Sequence, residues 1–219
     1  MSALNLSAEQ VLTTTRAVRK RLDLDREVPR ELIEQCIELA QQAPTRSNIQ
    51  PGHFFVVADA AKRAAIADYY RQAWDIYTGV AGEAHQDEAH LKDEGQLATI
   101  PAVLDSARYL ADNLERVPVL VIPCVRNRTD NASAALQSFI WGSILPSAWQ
   151  FCLAARDRGL GTCWTTLHTF FEKEIAELLG IPFEEFQQVA LIPVAYYTGD
   201  GFKPTRKLPL EQVVHWDTW

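Results

Sequence analysis

Residues 131–155 read NASAALQSFIWGSILPSAWQFCLAA, 25 consecutive positions without a charged side chain. As one helix this stretch is long enough to cross a bilayer. Its composition argues otherwise: Asn131, Ser133, Gln137, Ser138, Ser143, Ser147 and Gln150 are scattered along it, and Gly142 and Pro146 stand near its middle. The flanks lack a positive-inside asymmetry, with Arg126, Arg128 and Asp130 before it and Arg156, Asp157 and Arg158 after it. A helix with no charged face needs cover on all sides. A chain of 219 residues struggles to supply that cover alone, whereas a homodimer interface does. The expectation is an interface helix and no membrane span.

Outward from this helix, apolar runs at 119–125 (VLVIPCV) and 189–197 (VALIPVAYY) read as core strands, joined by His53–Val57 and a short strand at 162–165. Ser7 with Gln10 forms a capping box that opens a helix through about Arg21. Pro29 starts a second helix, with Leu32, Ile33, Cys36, Ile37 and Ala40 at helical spacing. Residues 60–85 read as helix, 87–116 as a charged region broken by Gly95 and Pro101, and 172–179 as a helix closed by Gly180 and Pro182. The whole of 1–219 then forms one domain with a lid or insertion at about 69–116. Strands and helices alternate unevenly, which points to an α+β or α/β sandwich of helices on a mixed sheet.

The net charge is −7, with 21 Lys and Arg against 28 Asp and Glu. That balance argues against a nucleic-acid binder, which needs a basic surface to displace counterions. Cys36, Cys124, Cys152 and Cys163 form no CxxC pair, so they read as small buried hydrophobes in a reducing compartment, with no metal site. The start MSALNLSAEQ has neither a basic region nor an apolar core, and the expected location is the cytoplasm. No GxxxxGK[ST], GxGxxG or GxSxG pattern occurs, and His85 and His90 are five apart, one too many for HExxH.

Basic residues cluster at both ends: Arg16, Arg19, Lys20 and Arg21, then Lys203, Arg206 and Lys207. Arg16 and Arg19, three apart on a helix, share a face and can clamp a phosphate with forked donors. A solvated face paired with Asp23, Asp25 or Glu27 explains the same pattern. Between Pro44 and Pro51, Ser47, Asn48 and Gln50 offer donors and acceptors suited to a cofactor's polar edge, or to an ordinary hydrogen-bonded turn.

Taken in order, these segments resemble the FMN-dependent nitroreductase family. The basic start of that family, RRSxRxF, corresponds to Thr15-Arg16-Ala17-Val18-Arg19-Lys20-Arg21, and its APSxxNxQPW loop to the ten residues from Ala43 to Gly52. A long helix then runs into Gly159-Leu160-Gly161-Thr162, and a PLEEVV-like tail matches Pro209-Leu210-Glu211-Gln212-Val213-Val214 behind Arg206. Three positions depart: Ala17 stands where serine is usual, Arg21 where an aromatic is usual, and Gly52 where tryptophan follows the QP pair.

The resemblance implies a three-layer α+β sandwich, a mixed sheet flanked by helices, in an intertwined homodimer with FMN at the interface. It implies Arg16, Ala17 and Arg19, with Arg206, at the phosphate, Ala17 giving no hydroxyl. Ser47, Asn48 and Gln50 would reach the flavin and ribityl chain, partly from the partner subunit. Backbone groups of Thr165, Thr166 and Leu167 would face the isoalloxazine and its N5. The implied reaction is ping-pong transfer of hydride from NADH or NADPH through FMN to a nitroaromatic, quinone or similar planar acceptor. It needs no general acid, and His168 reads as a packed spectator. Substrate choice falls to 69–116, with Tyr69, Tyr70, Trp74, Tyr77 and Tyr109. The alternatives are a flavin-destructase or dehalogenase-like relative and a non-catalytic flavin-binding protein.

Overall fold

The computed structural model describes residues 3–87 and 94–219, with the side chains of 80–87 and of residue 94 left aside. His90 therefore lies outside the described residues, as does the middle of the expected lid.

The helices are α1 (Ala8–Thr14), α2 (Arg30–Ala40), α3 (Ala60–Asp87), α4 (Glu94–Asn113), α5 (Ala134–Asp157) and α6 (Glu172–Leu179). The strands are β1 (Gly52–Val57), β2 (Val119–Arg126), β3 (Leu160–Thr162), β4 (Phe186–Gln188) and β5 (Ile192–Tyr196). The capping box forms as expected, with the Ser7 hydroxyl accepting from Gln10 N–H and the Gln10 side chain accepting from Ser7 N–H. The helix it opens stops at Thr14, well short of Arg21. Thr13, Thr14 and Thr15 turn their hydroxyls back onto the carbonyls four residues earlier, and Thr15 is already extended. Three successive β-branched residues with such back-bonds weaken a helix end. Arg16 and Arg19 consequently lie on an extended arc, and the shared helix face is not formed.

β2 lies at the centre of the sheet, in the order β1-β2-β5-β3, with β4 also on β2. Every ladder is antiparallel. The sheet is therefore antiparallel and not mixed as expected; among the described residues, parallel pairing is confined to an isolated bridge, Ala17 to Thr162, outside the sheet's ladders. β2 is buried at every position before Arg126, because its alternating side chains serve two cores. Leu120, Ile122 and Cys124 join α3, the end of α4 and α6. Val119 and Val121 join Leu32, Ile33 and Cys36 of α2 and Phe151, Cys152 and Ala155 of α5. Helices thus cover both faces, the three-layer α+β arrangement anticipated from sequence. All four cysteines are buried and unpaired by disulfides.

α5 buries Ile140, Ile144, Ala148 and Phe151 and docks on α2, where Ser147 Oγ donates to the Ala40 carbonyl at 2.8 Å. Its other side leaves Leu136, Phe139, Leu145 and Trp149 exposed. Among the described residues no helix is long and apolar enough to cross a membrane. The segment expected to be broken at Gly95 and Pro101 is instead the helix α4, with Pro101 inside it.

Candidate active site

The arc 15–22 is pinned from below. Val18 and Leu22 are buried, and Val18 N–H donates to the Thr162 carbonyl at 2.8 Å. Gly161 permits this approach: a Cβ there would sit 3.0 Å from Val18 Cγ1 and 3.1 Å from Leu22 Cδ2. With those two residues buried, Arg16, Arg19, Lys20 and Arg21 line a cleft of about 230 Å³, closed by Ser106 of α4 and Phe202. Arg19 Nη1 donates to Ser106 Oγ at 3.4 Å, Arg16 Nη1 to the Lys203 carbonyl at 3.3 Å, and Lys20 pairs with Asp105. Among the described residues no ion pair joins Arg16, Arg19 or Arg21 to a carboxylate, and Asp25 pairs with Arg116 instead. The solvated, ion-paired face that was open at the sequence level is not what forms.

Arg19 also borders a larger cavity of about 490 Å³. One wall is Trp164, Thr165, Thr166 and Leu167; α3 contributes Tyr70, Trp74 and Tyr77; α4 contributes a stripe from Gln96 to Ala107. Thr165 is fixed by reciprocal backbone hydrogen bonds with Leu191, at 3.1 and 2.8 Å. Its buried Oγ1 faces the Tyr70 phenol. Burial pushes the Tyr70 phenol up to about 12, against a side-chain hydrogen bond with Thr165 and the charge of Arg19, which lower it. Burial likewise raises the Cys163 thiol, with Arg19 opposing it. His168, next along the same loop, is fully buried with neither ring nitrogen bonded, and burial lowers its imidazole to about 3. It is neutral at working pH.

The sequence-derived site residues are thus distributed unevenly. Arg16, Ala17 and Arg19 come together at one cleft, and Arg19 meets Thr165, Thr166 and Leu167 at the other. Arg206 lines a third cleft with Lys207, and this shares Gln96 and Thr99 with the large cavity. Ser47, Asn48 and Gln50 border none of the three. Ser47 and Asn48 on the turn Arg46–Asn48, and Gln50 just beyond it, sit exposed with φ of 48°, 56° and 52°, and Arg46 N–H donates to Ser143 Oγ of α5 at 3.2 Å. Three non-glycine residues in the left-handed region within four positions carry strain of the kind held at functional loops. Tyr69 packs on Phe171 at 5.3 Å and, like Tyr109, does not line the cavity. The α4 stripe was missed from sequence. Its positions 96, 99, 100, 103, 104 and 107 have helical spacing, a signal masked by Gly95 and Pro101.

The model of the Nitroreductase family matches residues 12–196. The chain belongs to that family. A 4-nitrobenzoate reductase of Nocardioides sp. (strain LMS-CY) is 28% identical over 193 residues, covering 80% of this chain and 74% of the relative. An NADH dehydrogenase of Thermus thermophilus is 27% identical over 223 residues, covering 94% and 97%. Among solved structures, the FMN and NADPH-dependent nitroreductase NfnB from sphigopyxis sp. strain HMH superimposes with a TM-score of 0.66 at 18% identity, covering 98% and 100%.

Membership gives the departures at Gly52 and Arg21 a structural meaning. Gly52 lies away from the cavity and against α5: a Cβ there would fall 2.8 Å from Cδ1 of the fully buried Ile144, whose side chain would have to shift. Trp74 and Trp164 supply the indoles of the cavity. Arg21 points back onto the chain's own tail, donating to the carbonyls of Thr198, Asp200 and Gly201.

Proposed function

We propose that this nitroreductase-family chain is an FMN-dependent oxidoreductase, working as a homodimer, that takes electrons from NADH or NADPH and delivers them to a planar acceptor such as a nitroaromatic or a quinone. The observation that carries this reading is the joining of two unlike clefts at Arg19: one lined with cations, the other with aromatic rings.

The residues present fit FMN. A cleft of three arginines without ion-paired carboxylates suits a phosphate, since forked guanidinium donors match its oxygens. Thr165 lines the aromatic cavity with its buried Oγ1 beside Tyr70, where the hydroxyl can turn to a polar ring edge. Arg16 and Arg19 would hold the phosphate end, and Thr165, Thr166 and Leu167 the ring. When bound, FMN supplies the two-electron exchange of hydride with the nicotinamide and with the acceptor.

The protein's own contribution is orientation, exclusion of water and stabilisation of negative charge. The Thr165–Leu191 pairing keeps the loop rigid. Tyr70, Trp74 and Trp164 offer flat apolar faces against which planar rings stack. Arg19 brings positive charge to the border of the cavity. Tyr70 stays protonated and His168 stays neutral, so neither brings a charge of its own to this wall. Because Ser47, Asn48 and Gln50 lie away from their own chain's clefts yet beside the exposed face of α5, we infer that they complete the site of the partner subunit.

The test is steady-state oxidation of NADH and of NADPH by FMN-loaded protein, with a nitroaromatic and a quinone as acceptors. Turnover with either nucleotide supports the reading. FMN uptake without turnover by any pair would instead identify a flavin-binding protein, and a preparation that takes up no FMN would remove the cofactor assignment.

A further inference from the structure

Arg21 spends its donors in an unusual way for a residue of the cationic cleft. Nε donates to the Thr198 carbonyl at 2.8 Å, Nη1 to the Gly201 carbonyl at 3.4 Å, and Nη2 to the Asp200 carbonyl. Its backbone takes part too: Thr198 N–H donates to the Arg21 carbonyl at 2.8 Å, beside the Leu22–Tyr197 bridge. The guanidinium lies 4.3 Å from the ring centre of Phe202 and 5.5 Å from that of Tyr197, two rings packed 4.8 Å apart. Arg156, buried, lies against the same rings at 5.2 and 5.5 Å and donates to the Tyr197 hydroxyl at 3.0 Å. Arg16 then takes hold of the next residue through the Lys203 carbonyl. Among the described residues neither Arg21 nor Arg156 forms an ion pair with a carboxylate.

We propose that Arg21 is a positioning residue: it draws residues 198–203 across the cationic cleft and, with Arg156 and Arg16 holding the same segment, sets Phe202 as a wall of that cleft. The proposal rests on the reading that this cleft takes the FMN phosphate. With its donors turned to three carbonyls of one turn, Arg21 acts on the ligand through the tail and through its uncompensated charge. An arginine suits the task because one planar group forks to several acceptors while stacking on a ring, which the point donor of a lysine does not do. A phenylalanine keeps the stacking and loses every carbonyl contact.

The experiment compares wild type, Arg21→Phe and Arg21→Lys by limited trypsin digestion, with and without FMN, and by fluorescence titration of FMN. Cleavage after Arg206 and Lys207 reports the tail directly, Lys203 being protected by Pro204. In FMN-free protein both variants should lose these sites several-fold faster than wild type. The Kd for FMN should rise about tenfold in Arg21→Phe and by less in Arg21→Lys, which keeps the charge but not the fork. Tail cleavage at the wild-type rate in both variants overturns the proposal. A weakened affinity that Arg21→Lys fully restores, with no change in cleavage, also overturns it and makes Arg21 a direct phosphate ligand. Should wild type itself take up no FMN, the functional reading fails, while cleavage of the FMN-free proteins still decides whether Arg21 holds the tail.

Discussion

Single residues divide into those that present charge and those that must stay neutral. Arg16 and Arg19 belong to the first group: they flank one cleft, and among the described residues neither forms an ion pair with a carboxylate, Arg16 donating to a carbonyl and Arg19 to a hydroxyl. Replacing either by alanine should weaken FMN binding by about 1–3 kcal/mol, the range of a hydrogen bond to a charged group. Calorimetric titration with FMN measures it, and unchanged affinity in both variants would place the phosphate elsewhere. His168 belongs to the second group. With its imidazole lowered from 6.5 to about 3 by burial, the unfolded chain binds a proton below pH 6.5 that the native state refuses. The stability tied to a neutral His168 is therefore complete above pH 6.5 and declines as pH falls toward 3, by up to about 1.4 kcal/mol per pH unit. Urea unfolding of wild type and His168→Leu between pH 7 and 4 checks this. The variant should show a shallower loss by one proton, and parallel curves would mean that the native state opens to protonate the ring. The same neutrality predicts that turnover shows no ionisation from this residue.

Among the elements, the arc 15–22 and β3 depend on one another. The arc has no helix of its own to define it, and its shape comes from the Ala17–Thr162 bridge and from Val18 and Leu22 settling over Gly161. Gly161→Ala should push that arc outward, since Val18 Cβ itself stands 3.1 Å from the new methyl. The expected cost is about 1–3 kcal/mol of stability, as for other overpacked cores, with a weaker FMN affinity. Both are measurable, by thermal unfolding and by titration. A loss of stability with unchanged affinity would show that the arginines do not ride on this contact. The sequence motif at Gly159-Leu160-Gly161 marked the place without giving its reason. A glycine pair reads alike whether it borders a ligand or lets two backbones meet, and here the second glycine does the latter.

At the scale of the whole molecule, the exposed stripe Leu136, Phe139, Leu145 and Trp149 and the terminal Trp216 and Trp219 leave much apolar surface in water. Patches of this kind mark association surfaces. The dimer inferred above covers the α5 face and brings one chain's strained 46–50 turn to the other's clefts. Wild type should run as a dimer by light scattering. Trp149→Glu or Phe139→Glu should give monomers that have also lost most of their FMN affinity. Monomers that bind FMN as wild type does would return the whole site to one chain and leave the strain at Ser47, Asn48 and Gln50 without a function.

Local chemistry alone determined several features. The unbroken apolar run at 119–125 marked β2 as a core strand, the Ser7–Gln10 pair marked a helix start, and the lack of charge over 131–155 marked a helix with no polar face. Family motifs in order carried the fold class and named the arginines that gather at one cleft. What sequence could not reach were choices settled by competition between distant parts. Three threonines against a helix end, with Thr162 waiting to accept Val18 N–H, turned a predicted helix into an arc and changed how Arg16 and Arg19 meet. Packing on α3 and the sheet made α4 a helix through Pro101 and set its stripe along the cavity. The tail's carbonyls, 177 to 180 positions away in sequence, claimed the donors of Arg21. Hydrophobic periodicity and capping are properties of neighbours along the chain, whereas a donor's partner and a glycine's contact are decided only once the chain has folded back on itself.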